Sequence, residues 1–302
     1  MPKVSQYYQL PTPVPFVDVR LEQDNRLFIE PSAIRAAARA GSRYAVEADQ
    51  TLTSFFDQVL TSVRSTDIGR GLDLLTNLHE PNETRLGMTR IGVAGHGMGV
   101  GLARDLWKAM HANPACRDAI LVGRLEDLAP YVDGVGPDLV SDLSTRVAFG
   151  VLADFTTEMI ATFPALGRSV STETERVWDI PSTSWISRSV SLPVVDGKRL
   201  LLVPTNWVWP RQLINAPSFY QVQALGRIQE RLTQPPRFRG GRPTAPTKKM
   251  LRRDHPEVRP TNISQAIAAA GTGVSLTARH TEHVQSRFED LQLQPNEVNA
   301  LI

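Results

Sequence analysis

A single cysteine, Cys116, in 302 residues leaves nothing from which to build a disulfide framework or a cysteine-ligated zinc or iron–sulfur centre, and it suits a reducing compartment. No apolar run reaches the roughly 18 residues of a membrane span. The opening MPKVSQYYQLPTPVPF sets prolines and polar residues where a secretion signal needs an apolar stretch. Neither membrane insertion nor secretion is expected, and the cytoplasm is the expected location. Charge of one sign is also scarce: 33 Lys and Arg face 31 Asp and Glu, a net +2, so any affinity for polyanions must come from local clustering. There is no G-K-[ST], which excludes a P-loop, and no internal repeat. What remains, 41% hydrophobic and 21% charged residues, is a globular composition that excludes collagen, coiled coil and wholesale disorder.

Prolines at 2, 11, 13 and 15 predict an extended arm, after which Phe16–Val19 and Arg26–Ile29 read as short strands around a polar turn. Pro31 opens a helical pattern over Ala33–Leu60, one helix or two broken near Gly41, and Ile68–Leu78 is a second. Thr89–Ala94 reads as a buried strand that feeds the glycine loop GHGMGVG (95–101) and then a helix stopping before Pro114. Ala119–Val122 is a strand candidate, Leu125–Leu128 a helical turn, and 141–163 one long amphipathic helix. The dipeptide Asp196-Gly197, between Ser189–Val195 and Lys198–Val203, predicts an antiparallel hairpin. Helices are expected over Phe219–Leu232, Ile263–Ala270 and Ser275–Leu291. The fold class is therefore mixed α/β, a sheet with flanking helices and a hairpin. Residues 1–84 form an arm and helical part, 85–233 the mixed core, and 234–302 a basic linker with C-terminal helices.

Chemistry can reside in several places. Between 237 and 259, eight basic residues (Arg237, Arg239, Arg242, Lys248, Lys249, Arg252, Arg253, Arg259) face two acidic ones, a local +6. Such a Pro/Gly-rich segment either engages nucleic-acid phosphates without reading bases or is a solvated linker. The glycine loop, with Gly95, His96, Gly97 and Gly99, can cradle a phosphate at a helix start, although its spacing is not G-x-G-x-x-G. Asp138 and Asp142, four apart behind the Gly134–Pro137 lead-in, can share a divalent metal; alternatively Ser141 or Asp142 caps a helix. Trp178, Trp185, Trp207 and Trp209 make either a base-stacking platform or a sheet core, and His280, Glu282 and His283 read as a polar helix face.

Pro137-Asp138 followed by Asp196-Gly197-Lys198 resembles the PD…(D/E)XK signature of restriction-endonuclease-like nucleases found in bacterial restriction and phage-defence systems. The resemblance implies Mg²⁺ bound by Asp138 and Asp196, Lys198 positioning the attacking water, and Glu126 or Asp142 as an accessory acid. The leading expectation is a metal-dependent, nuclease-like, nucleic-acid-binding defence component. Its alternatives are a noncatalytic DNA- or protein-binding subunit of a larger complex, and a phosphate-ligand enzyme using the glycine loop.

Overall fold

The computed structural model describes residues 2–23, 25–79, 81–87, 100–117, 121–236, 243–289 and 295–302. Helices are combined with two small antiparallel sheets, the mixed α/β class expected. The proline-rich start is not a free arm. It holds helix α1 (Val4–Tyr8), with Val4 and Tyr8 fully buried. Asp18 ties α1 down, its carboxylate accepting the Ser5 amide at 2.8 Å and the Ser5 hydroxyl at 2.6 Å. Proline count reports backbone conformation, whereas the apolar side chains between the prolines decide where that backbone lies. Of the two strands expected next, the second persists as β1 (Phe28–Ile29), while the first is reduced to a bridge between Phe16 and Pro204.

Glu30, whose carboxylate accepts the Ser32 amide at 3.2 Å, caps α2 (Pro31–Arg39). A left-handed Gly41 (φ +86°) separates it from α3 (Arg43–Ser65). Helix α3 buries Ala45, Ala48, Leu52, Phe55, Phe56, Val59 and Val63 along one stripe, the three–four spacing read in the sequence. α4 (Ile68–Leu75) folds back on it, and α5 (Val100–Ala112) approaches α4 closely at Gly71. A Cβ there would lie 2.1 Å from Trp107 Nε1. α6 (Pro114–Arg117) buries Cys116, whose thiol burial pushes up to about 12, leaving it a small inert hydrophobe.

Leu121 and Val122 are buried but form no strand, and the short helical turn Leu125–Leu128 follows as expected. The single helix expected over 141–163 is two, α7 (Pro137–Val147) and α8 (Phe149–Thr162), bent at Ala148. Arg146, fully buried at the bend, donates to the carbonyls of Asn77 and Arg176 and lies over the Phe149 and Trp185 rings. Those partners are remote in sequence, so local periodicity ran through the corner unbroken.

β2 (Val170–Asp179) pairs with β3 (Ser184–Val195), and β4 (Lys198–Arg199) folds back on β3. Asp196 (φ +52°) and Gly197 (φ +74°) make the turn, both left-handed as the predicted hairpin requires. Val177, Trp178, Trp185, Val190 and Leu192 are buried, the two tryptophans on the face that packs edge-on against Phe55 and the other three on the opposite face. Trp207 and Trp209 are buried too, so all four belong to the core rather than to a stacking platform. β5 (Val208–Trp209) pairs with β1. α9 (Ala216–Phe219), a π-turn at Tyr220–Ala224 and α10 (Leu225–Leu232) occupy the stretch read as one helix. α11 (Lys248–Asp254), α12 (Val258–Ala270), α13 (Leu276–Glu289) and α14 (Pro295–Ala300) follow. One buried apolar cluster runs from Val4 to Val298, so α12, α13 and α14 share the core of the rest, while α11 packs in a smaller cluster of its own with the Tyr220–Ile228 stretch. Among the described residues no helix is long and apolar enough to cross a membrane.

Candidate functional site

Asp138 lies half-buried in the first turn of α7, where its charge complements the helix dipole, and Asp142 one turn later is half-buried as well. The N-cap is Gly136 rather than Ser141 or Asp142. Ser141 has a different task, its hydroxyl accepting the Ile29 amide at 2.9 Å and so fastening α7 to β1. Asp196 is exposed at the tip of the β3–β4 turn, with Lys198 exposed just beyond it. Glu126, the accessory acid, is buried against Arg35. Among the described residues no three His, Cys, Asp or Glu side chains form a group that could hold a metal ion. Gly95, His96, Gly97 and Gly99 lie outside the described residues, as do Arg237, Arg239 and Arg242.

From Thr244 onward the basic segment is built into the fold. Gln234 and Thr244 exchange backbone hydrogen bonds of 2.9 and 3.1 Å, and Thr247 caps α11 by accepting the Met250 amide at 3.3 Å. Leu251, 2% exposed, inserts among Tyr220, Ala224, Leu225 and Ile228 and seats α11 on the π-turn and α10. Lys248 Nζ donates to the Gln221 carbonyl at 2.7 Å, and Arg252 donates to the Gln221 side chain at 3.0 Å through Nε. Lys249, Arg252 and Arg253 remain exposed; at about 100° per residue Lys249 and Arg253 fall on the side of the helix opposite Leu251, and Arg252 lies on its flank, held by Gln221. The sequence revealed the charge; the docking leucine is what turns it into a fixed face.

A second site brings Glu126 together with groups the sequence did not single out. Arg35 of α2, largely buried, pairs with Asp49 of α3 at 3.2 Å and closely with Glu126, 91 residues away. Burial, and then the neighbouring Arg124 charge, hold the Arg35 guanidinium below its ordinary value. Asp127 caps the turn before it, one carboxylate oxygen accepting the amides of Gly123 at 3.1 Å and Arg124 at 2.9 Å. Its carboxyl is raised above the usual range by burial, against the opposing pull of those amides. Arg35, Asp49, Gly123, Arg124 and Asp127, with Arg39 and the facing side of α13, line a cleft of about 600 Å³, and Glu126 braces Arg35 from behind its wall. The acid that caps the helical turn at Arg124–Leu128 is a local signal a reader could have found; nothing local connects Arg35 to Glu126.

The profile of a family described as a domain of unknown function (DUF8370) matches residues 9–215, more than half of the chain. The chain belongs to this family. The DUF8370 stretch holds both sheets of the described residues and the Arg35, Asp49, Arg124 and Asp127 side of the cleft, whereas α11 and α13 follow it. No curated protein and no solved structure matches the chain.

Proposed function

We propose that this protein binds nucleic acid without cutting it, through the exposed face of α11, as the binding subunit of a larger assembly. The observation that carries this reading is the docked helix: Leu251 fixes α11 on Tyr220, Ala224, Leu225 and Ile228, Lys249 and Arg253 project from its opposite side, and Arg252 is exposed on the flank. A rigid basic face loses less side-chain and backbone freedom on meeting phosphates than the same charges on a coil. Arg237, Arg239 and Arg242 stand in the sequence between the paired Gln234 and Thr244 at the foot of this helix. Cleavage is left out of the reading because the implied acids sit in unlike surroundings, Asp138 half-buried in the first turn of α7, Glu126 buried against Arg35, and Asp196 exposed at the tip of the β3–β4 turn.

The test is fluorescence polarisation on labelled duplex DNA, duplex RNA and single strands, titrated over a salt series. Each phosphate contact contributes about 0.9 to the slope of log affinity against log salt on duplex DNA, so Lys249→Ala/Arg252→Ala/Arg253→Ala lowers that slope by about 2 to 3. An unchanged slope and affinity in the triple variant refutes the reading.

A further inference from the structure

We infer that the cleft between α2, α3, the 121–127 segment and α13 binds a small ligand with an N–H donor at one end, brought to Asp127, and a carboxylate or phosphate at the other, brought to Arg124 and Arg39. Asp127 is 5% exposed. Its Oδ2 holds the two turn amides, and that is all the turn requires. Its Oδ1 is buried and has no hydrogen-bond partner among the described residues, although it belongs to a residue that lines the cleft. A buried carboxylate oxygen left without a donor is costly, and native structures keep few of them outside sites where something else supplies the donor. The free oxygen therefore defines the ligand's donor end.

The anion end follows from the arginines. Arg35 is matched by Asp49 and Glu126, so it needs no further counter-charge. Arg124 also lines the cleft, is half-buried, and takes part in no ion pair among the described residues. Its charge acts unfavourably on Arg35, and an anion placed at Arg124 would relieve that repulsion. Arg39 stands on the same wall, held to Gln285 of α13 at 3.0 Å, so it joins the two sides of the cleft. A volume of about 600 Å³ accommodates an amino acid or a nucleotide, both of which carry donors at one end and an anion at the other. α11 contributes nothing to this lining, so the site is separate from the proposed nucleic-acid face.

The experiment uses the full chain with two probe sets, the twenty amino acids and the common nucleoside 5′-mono- and triphosphates. Thermal-shift screening is followed by isothermal titration of any compound that raises Tm. At least one set contains a binder, and its Kd weakens about tenfold or more in Arg124→Gln and in Asp127→Asn, because each variant leaves one polar end of the ligand without its partner. The set to which the binder belongs distinguishes a carboxylate ligand from a phosphate one. Arg124 is half-exposed, so Arg124→Gln carries the test even if Asp127→Asn lowers the stability of the unliganded protein. Binding that survives Arg124→Gln but is lost in the triple α11 variant, or no Tm increase with any member of either set, overturns the assignment.

Discussion

Replacing His280 with leucine should change how the stability of the protein responds to acid. His280 lies on α13, 1% exposed, with neither ring nitrogen partnered among the described residues. The Phe219 ring stands 5.3 Å away and the His283 ring 6.2 Å away. Burial, and secondarily the His283 charge, lower its pKa from 6.5 to about 4. Above pH 6.5 the imidazole is neutral in both the folded and the unfolded chain and contributes no pH dependence. As the pH falls below 6.5 the unfolded chain takes up a proton that the folded chain refuses until about pH 4. Stability is therefore lost on acidification across that window, and the loss is complete below it. The full gap corresponds to about 3 kcal/mol, of which about 2 kcal/mol is reached by pH 5. Urea unfolding at pH 7.5 and pH 5.0 measures it: the wild type should lose about 2 kcal/mol more than His280→Leu between the two conditions. At pH 7.5 the leucine variant should be at least as stable as the parent, since it removes two unpartnered buried nitrogens and keeps the volume. His283 and the carboxylates are present in both proteins and cancel in the difference. Equal pH dependence in the two proteins would refute the reasoning.

Two further perturbations test the packing. Gly71→Ala drives a Cβ to within 2.1 Å of Trp107 Nε1 and 3.0 Å of Ser62 Oγ, separating α4 from α5. It should cost about 1–3 kcal/mol in chemical denaturation, with less than additive loss when Trp107→Leu is added. Glu126→Gln removes the closer of the two carboxylates paired with buried Arg35 and should cost about 3 kcal/mol, whereas Arg35→Met/Glu126→Leu restores most of it. A single variant as stable as the parent would mean that Asp49 alone balances Arg35.

The features the sequence determined by itself are those whose cause lies within a few residues. Gly41 breaks α2 from α3 because only a left-handed residue reverses the chain there, and Asp196-Gly197 closes β3 on β4 through two consecutive positive φ angles. The α3 stripe and the end of α5 before Pro114 are equally local, one from helical spacing and the other from a lost amide. The tertiary structure decided the rest. Residues Val4 and Tyr8 entered the core because Asp18 and Val203 lay within reach to hold that end of the chain, and α7 turned into α8 around an arginine whose partners come from Asn77 and Arg176. The basic stretch, read as either a phosphate-binding segment or a linker, carries the seated helix Lys248–Asp254 because Leu251 found Tyr220 and Ile228, two to three dozen residues earlier in the chain. Arg35 and Asp127 line one cleft only when α2 meets the 121–127 segment, with Glu126 bracing Arg35, and the charges of Arg35 and Asp127, read alone in the sequence, describe ordinary surface residues. Burial gives those charges their consequence, since a low-dielectric surrounding makes every pairing, and every missing partner, count for more than it would in water.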